Sequence, residues 1–304
     1  MCWYERFDRE IAERLPECHI LSEEPLSRHT SFRIGGPARR MAFPASAEEL
    51  IALEEIGRRC GGEPLVLGNG TNVLFADEGL DRLVICTGEL CALEQTGENE
   101  LCAGAGLTLA RLAVFAQQSG LTGLEFAHGI PGSVGGAVCM NAGAYGGEMK
   151  DVLTGAQVWF PEEGVRLLTT EELDLAYRHS VLTDRPEAVV LSASFRLEPG
   201  ESETIREKMD ELMGRRKASQ PLEYPSAGST FKRPVGYFAG ALIEQAGLKG
   251  CSVGGAQVSP KHAGFVINTG GATCADVLGL IHHIRRTVLE KDGVLLEPEV
   301  RIIR

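Results

Sequence analysis

Residues 123–151 read GLEFAHGIPGSVGGAVCMNAGAYGGEMKD. From Gly129 to Gly147, seven of nineteen positions are glycine, with Ala and Ser filling the gaps. Glycine surrenders the most backbone entropy on folding, so neither an amphipathic helix nor a buried strand favours this composition. It suits a place where backbone comes very close to something else and presents N–H donors, and a phosphate or dinucleotide is the first candidate. A tightly packed turn between structural elements is the alternative. A second loop of the same kind, Gly68-Asn-Gly-Thr-Asn72, follows an apolar stretch at 64–67. Two such loops, each after or between expected strands, suit a pyrophosphate held mainly by backbone amides.

Around these loops the chain is ordinary. Its 304 residues can bury a large core and are expected to divide into two or three domains. No apolar run approaches the ~18 residues of a membrane span, and the amphipathic stretch 1–17 carries acids where a signal peptide has its apolar core. Nine cysteines, an odd number without a C-x-x-C pair, fit reduced thiols in a cytoplasm better than a disulfide framework. Cys86, Cys91, Cys102 and Cys139 read as small core residues. The net charge of −12 argues against a general nucleic-acid binder. It leaves room for an anionic small molecule, because a local cluster of Arg and Lys can outweigh the global field. There is no G-x-x-x-x-G-K-[ST], and the loop at 68–73 lacks the third glycine of the dinucleotide fingerprint, with Val73 in its place.

Patterning gives an α+β chain opened by a short helix. Residues 28–37, RHTSFRIGGP, alternate Phe32 and Ile34 and predict a strand entering a turn at Gly-Gly-Pro. Ser46-Ala-Glu-Glu49 predicts a capping box on a helix burying Leu50, Leu53 and Ile56. Strands are expected at 64–67, 82–86, 152–160 and 188–197. In the last, Val190, Ser192 and Ser194 should oppose Leu191, Ala193 and Phe195. Thr108 should cap a helix over 109–119 that Gly120 ends. Ala176-Tyr-Arg-His-Ser180 is a polar insertion between strands. Composition shifts at 198–202, the expected domain boundary. Beyond it come a charged helix over 203–217, a loop over 219–234, helices over 237–246 and 274–290, and a strand over 294–303.

Single polar residues say less. Arg178 fits a surface ion pair, or a substrate carboxylate onto which its donors fork. Ser229 follows a glycine in a loop without the pattern of a nucleophile elbow, and Glu299 reads as an exposed strand acid. His282 and His283 point about 100° apart on a helix, so they are assigned no metal. His128 and His262, in loops, read as structural.

Seven segments occurring in order are more specific. They are His29-Thr-Ser-Phe-Arg-Ile-Gly-Gly-Pro-Ala38, Leu67-Gly-Asn-Gly-Thr-Asn-Val-Leu74, Gly123-Leu-Glu with Gly129-Ile-Pro-Gly-Ser-Val-Gly-Gly-Ala137, Met140-Asn-Ala-Gly-Ala-Tyr-Gly146, Tyr177-Arg178, Ala227-Gly-Ser-Thr-Phe-Lys232 and Leu296-Glu-Pro-Glu-Val-Arg301. From about residue 19 onward they closely resemble the UDP-N-acetylenolpyruvoylglucosamine reductase (UDP-N-acetylmuramate dehydrogenase) family of bacterial peptidoglycan synthesis.

That resemblance implies a vanillyl-alcohol-oxidase-type (PCMH-like) FAD-binding domain over 1–198, with subdomains at about 19–95 and 96–198. A C-terminal α+β substrate domain would occupy 199–304. It implies non-covalent FAD, NADPH as co-substrate, and UDP-N-acetylglucosamine enolpyruvate as the substrate reduced to UDP-N-acetylmuramate. Gly68, Asn69, Gly70, Thr71, Asn72, Gly129, Ile130, Pro131, Gly132, Ser133, Gly135, Gly136, Ala137, Asn141 and Gly143 would hold FAD. Arg178 would clamp the developing enolate, Ser229 would donate the proton, and Glu299 would act on the carboxylate side, for which it needs a raised pKa. Tyr177, Tyr224, Lys232, Gln257 and Lys261 would contact the UDP-sugar. Only seven residues separate Ser180 from Ala188, which marks the short type without the extra tyrosine loop. A cytoplasmic monomer is expected, with no metal, nucleic acid or membrane partner. Two rivals stay open: a same-fold flavin oxidase of a small alcohol or sugar, and a non-catalytic nucleotide-sugar-binding protein.

Overall fold

The computed structural model describes all of Met1–Arg304. The chain forms two compact units, each gathered from three stretches. The first comprises Met1–Ser22, Arg40–Asn69 and Arg82–Arg215, the second Glu23–Arg39, Gly70–Asp81 and Arg216–Arg304. No helix is long and apolar enough to cross a membrane.

The first unit is built on a five-stranded antiparallel sheet in the order Gly164–Thr169, Leu153–Phe160, Val189–Arg196, Glu100–Gly104, Leu93–Gly97. Helix Leu109–Gln118, capped by Thr108 as the sequence predicts, buries Leu109, Leu112, Ala113 and Ala116 in the same core as Leu101, Ala103 and Phe195. A second core gathers Leu50, Leu53 and Ile56 of helix Ala47–Cys60 with Phe7 and Ile11 of helix Trp3–Arg14. Each such side chain contributes roughly 1.5–3 kcal/mol through burial. Ser46 Oγ accepts Glu49 N–H at 3.2 Å, but the Glu49 carboxylate reaches back to Ala45 N–H at 2.8 Å, so the expected box closes one residue early. Strand Leu65–Leu67 pairs parallel with Leu80–Cys86.

The alternation expected in Val189–Arg196 fails at one point. Val190 joins Ala193 and Phe195 in the larger core, while Leu191 joins the other. Gln157 pairs with Ser192 but its neighbour Val158 pairs with Val190, so one extra residue bulges out and reverses the facing. Cysteine burial needs a similar correction. Cys86 is buried, but Cys91, Cys102 and Cys139 are half-buried. On Glu100–Gly104, Cys102 faces away from the core side that takes Leu101 and Ala103.

The second unit has an antiparallel sheet in the order Ser226–Ser229, Phe265–Asn268, Ala256–Val258, Ser252–Val253, with helix Cys274–Asp292 supplying Val277, Leu280, Ile281, Ile284 and Val288 to its core. The Asp77 carboxylate accepts Cys274 N–H at 2.7 Å and Ala275 N–H at 3.1 Å at the start of this helix. Strand Val73–Phe75 pairs parallel with Arg301–Ile303.

Two strand expectations fail here. Residues 29–36 are irregular, and the strand starts at Pro37 instead of ending there. Arg33 takes a φ of 56°, and a Cβ on Gly36 would lie 2.2 Å from Asp77 O, so the Gly-Gly pair serves close passage of backbone past Asp77. At the C-terminus only Arg301–Ile303 is strand. Pro298 has no N–H for a ladder, and 294–300 instead touches 230–232 through an isolated bridge from Phe231 to Pro298.

Candidate functional site

In the first unit the two glycine loops meet. Asn69 Nδ2 donates to Pro131 O at 3.3 Å, and a Cβ on Gly68 would lie 2.4 Å from Ser133 Oγ. Contrary to the composition argument, the glycine-rich stretch contains a six-residue helix, Val134–Cys139. It forms because it is anchored from outside. Buried Ser133 caps it, its Oγ accepting Gly136 N–H at 3.4 Å, and Gly135 N–H donates to Ala105 O at 2.8 Å. Glycine at 135 permits that seating, since a Cβ would already be 3.0 Å from Ala105 Cβ. Ala137 is likewise buried in the core.

Gly132 and Gly136 have no such internal reason. Neither has a positive φ, and a Cβ would meet nothing nearer than 3.8 Å at Gly132 or 3.5 Å at Gly136. The space beside these two positions is open, which a ligand lying directly on the backbone would require. The first amides of the short helix are taken by Leu107 O, Ala105 O and Ser133 Oγ, so a pyrophosphate here would lie against Ser133, Asn69 and the open backbone at Gly132 and Gly136.

Past the helix the chain reverses at Asn141, which is fully buried with a φ of 44°. Its Nδ2 donates to Glu148 Oε2 at 2.6 Å and to Ala176 O at 3.0 Å, and its Oδ1 accepts Lys150 N–H at 2.9 Å. These bonds commit the Asn141 side chain to structure. Gly143 opens a small hairpin in which a Cβ would lie 2.7 Å from Gly147 O.

The polar insertion at 176–180 is a tight turn. Ala176 and His179 exchange backbone hydrogen bonds of 3.1 and 3.2 Å, leaving Tyr177 and Arg178 at the tip. Arg178 has a φ of 54°, a conformation that costs an L-residue about 1–2 kcal/mol. Its guanidinium lies 5.1 Å from the Tyr177 ring centroid, and Nη2 donates to Gly143 O at 3.4 Å. Buried Ser180 donates to Cys139 O at 2.7 Å. Two buried polar side chains thus fix the turn that aims Arg178, and such strain is characteristic of functional positions.

In the second unit, Ser229 ends a strand and is not in a loop. Ser226 pairs with Ile267 and Ser229 with Phe265, three residues against two, so the strand bulges at Gly228, whose φ is 73°. Ser229 is exposed while Thr230 is buried. Half-buried Glu299 donates its N–H to Thr230 O at 2.8 Å, and Asn72 Nδ2 donates to Glu299 O at 3.2 Å. The structure therefore links Glu299 to Asn72 and to Thr230, the residue next to Ser229. Gly70 packs against the 29–36 segment, with Ser31 N–H donating to its carbonyl at 3.0 Å.

Of the expected substrate contacts, Lys232 Nζ lies 2.5 Å from Glu297 Oε1, and Lys261 Nζ donates to Lys217 O at 2.7 Å. Gln257 Nε2 donates to Ser252 Oγ at 3.0 Å. Tyr224 is exposed. Sequence reasoning missed Ser31, whose Oγ donates to Ser226 O at 2.6 Å, and Asn268, whose Nδ2 donates to Phe32 O at 3.1 Å. The motif at 29–38 was the only signal for Ser31, and Asn268 lies outside every quoted segment.

A family profile described as an FAD binding domain matches residues 38–168, and one described as the C-terminal domain of UDP-N-acetylenolpyruvoylglucosamine reductase matches 220–303. The UDP-N-acetylenolpyruvoylglucosamine reductase of Agathobacter rectalis is 50% identical over 98% of this chain and 98% of its own. The chain belongs to the UDP-N-acetylenolpyruvoylglucosamine reductase family. The reductase of Caldanaerobacter subterraneus is also 50% identical, over 96% of each chain. The crystal structure of the reductase from Thermus caldophilus matches with a TM-score of 0.79 at 37% identity, over 95% of this chain and 99% of that one. The expected fold is borne out: a vanillyl-alcohol-oxidase-type FAD-binding domain joined to the reductase family's C-terminal domain.

Proposed function

We propose that this chain catalyses the reduction of UDP-N-acetylglucosamine enolpyruvate to UDP-N-acetylmuramate for peptidoglycan synthesis, with non-covalent FAD and with NADPH as reductant. The observation that carries this reading is the near full-length 50% identity to a reductase of that name. In this reading the substrate-binding domain lies in the C-terminal part, with Arg216–Arg304 in place of the expected 199–304, and the enzyme works in the cytoplasm as a monomer.

FAD, when bound, supplies the hydride that adds to the terminal enolpyruvyl carbon. Ser133, Asn69 and the bare backbone of Gly132 and Gly136 would hold its pyrophosphate. Arg178 binds the substrate carboxylate and stabilises the negative charge that builds as the adjacent carbon becomes carbanionic. That charge grows toward the transition state, so the interaction accelerates the reaction more than it tightens binding. Ser229 Oγ–H delivers the proton to that carbon, completing addition across the double bond, and Glu299 polarises or protonates the carboxylate side. Tyr177, Tyr224, Lys232, Gln257 and Lys261 are the proposed contacts to the nucleotide sugar.

The test separates the two half-reactions. The purified protein should be yellow and consume NADPH beyond one equivalent per flavin only when the enolpyruvyl substrate is present. Ser229→Ala should leave flavin reduction by NADPH intact and slow reoxidation by substrate by about 10²–10⁴-fold. A colourless protein that takes up no FAD overturns the reading, and steady peroxide release without NADPH favours the oxidase.

A further inference from the structure

Thr230 stands between Ser229 and the backbone of Glu299, with its main chain and its hydroxyl oxygen engaged. Its N–H donates to Gly264 O at 2.9 Å, its carbonyl accepts Glu299 N–H at 2.8 Å, and its Oγ1 accepts Val266 N–H at 3.0 Å. Only 4% of the residue is exposed, and Ala227, Phe231 and Val266 beside it belong to an apolar core. A valine would fill this space without a polar atom to desolvate, so the hydroxyl is accounted for by its bond and not by burial. That bond is unusual for a strand: Val266 N–H takes a side-chain oxygen, opposite a partner strand that bulges at Gly228.

We propose that Thr230 is a positioning residue for the proton-delivery half of the reaction. Its hydroxyl and N–H clamp it to residues 264–266, which fixes the rotation of the Ser229–Thr230 peptide. Side chains alternate along a strand, so holding Thr230 inward holds Ser229 outward. Glu299 hangs from the other side of the same residue by its N–H. One buried hydroxyl thereby sets the two assigned groups relative to each other. The turn that supplies Gly264 O is itself braced, with Gly264 N–H donating to His262 Nδ1 at 3.1 Å and Ser259 Oγ accepting His262 N–H at 3.2 Å.

The inference rests on the roles given to Ser229 and Glu299 above. The experiment compares Thr230→Val with Thr230→Ser in FAD-loaded enzyme by stopped-flow. In Thr230→Val, flavin reduction by NADPH should stay within about twofold of wild type. Reoxidation by UDP-N-acetylglucosamine enolpyruvate should slow at least about tenfold, with a larger solvent deuterium isotope effect, because small misplacements of a reacting group cost this much. Thr230→Ser, which keeps the oxygen, should restore reoxidation to within about threefold. Amide exchange at Val266 and Glu299 should accelerate in Thr230→Val alone. Unchanged reoxidation in Thr230→Val, or an equal fall in both half-reactions, overturns the proposal. If Thr230→Val does not fold, Thr230→Cys takes its place, its weak acceptor giving intermediate slowing, and wild-type rates there overturn the proposal equally. Wild-type enzyme that fails to react with this substrate sinks the functional reading itself, whereas an active wild type with an unaffected variant sinks only the role of Thr230.

Discussion

Asn141 combines a left-handed backbone with three side-chain hydrogen bonds in a site closed to solvent. Replacing it with alanine strands buried partners and adds backbone strain, so Asn141→Ala should cost roughly 2–4 kcal/mol by denaturant unfolding. A loss below about 0.5 kcal/mol would show that Asn141 does not brace the Arg178 turn. Glu54 gives a pH-dependent prediction. It is 1% exposed, and burial, only partly offset by Arg58 at 3.0 Å, raises its carboxyl pKa from 4.5 to about 6. A folded pKa above the unfolded one means the native state holds the proton more tightly. The resulting stability is fully present below about 4.5 and is lost as pH rises through about 6. It amounts to roughly 2 kcal/mol, and Glu54→Gln should flatten the stability profile across that window. An unchanged slope in urea unfolding would contradict this. At this scale the sequence was least informative: Arg178, Ser229 and Glu299 each look like surface residues until a turn, a bulge and a shared carbonyl define their settings.

Among elements, the contact between the loops at 68–69 and 131–133 carries the sharpest prediction. In Gly68→Ala the new methyl would sit 2.4 Å from Ser133 Oγ but 3.5 Å from Ser133 Cβ. The single variant should lose bound FAD, with at least about a tenfold weaker dissociation constant. Adding Ser133→Ala removes the clashing oxygen and should recover part of that loss. Fluorescence titration of apoprotein checks both, and a double variant no better than Gly68→Ala would show that the steric account is wrong. Helices were largely legible because capping residues and apolar spacing are local signals. Thr108 stands where the sequence puts it. The misread elements were those whose form depends on distant partners. The helix after Ser133 needs Ala105, the bulge at Leu191 needs Val158, and the segment at 29–36 is shaped by Asp77.

At the level of the whole molecule, composition suggested domains that follow one another, with a boundary near 198–202. The compact units are instead interleaved, and the second recruits Glu23–Arg39 and Gly70–Asp81 along with Arg216–Arg304. No local composition reveals this, because Phe32, Ile34 and Leu74 find their core only with residues beyond 226. Strand Arg301–Ile303 closes the second unit: Arg301 N–H donates to Asn72 O and Ala76 N–H to Ile303 O, both at 3.0 Å, while Asn72 Nδ2 reaches Glu299 across 227 residues of sequence. Deleting residues 301–303 should therefore loosen the 68–72 loop and weaken FAD retention as well as stability. Retained FAD at wild-type affinity would contradict this coupling. The same pairing imposes an order of events during synthesis. The strand at 73–75 leaves the ribosome long before its partner exists, so the loop ahead of it must wait, unfinished, through most of translation. Chains arrested before residue 301 should emerge without flavin, and those released past 303 should acquire it.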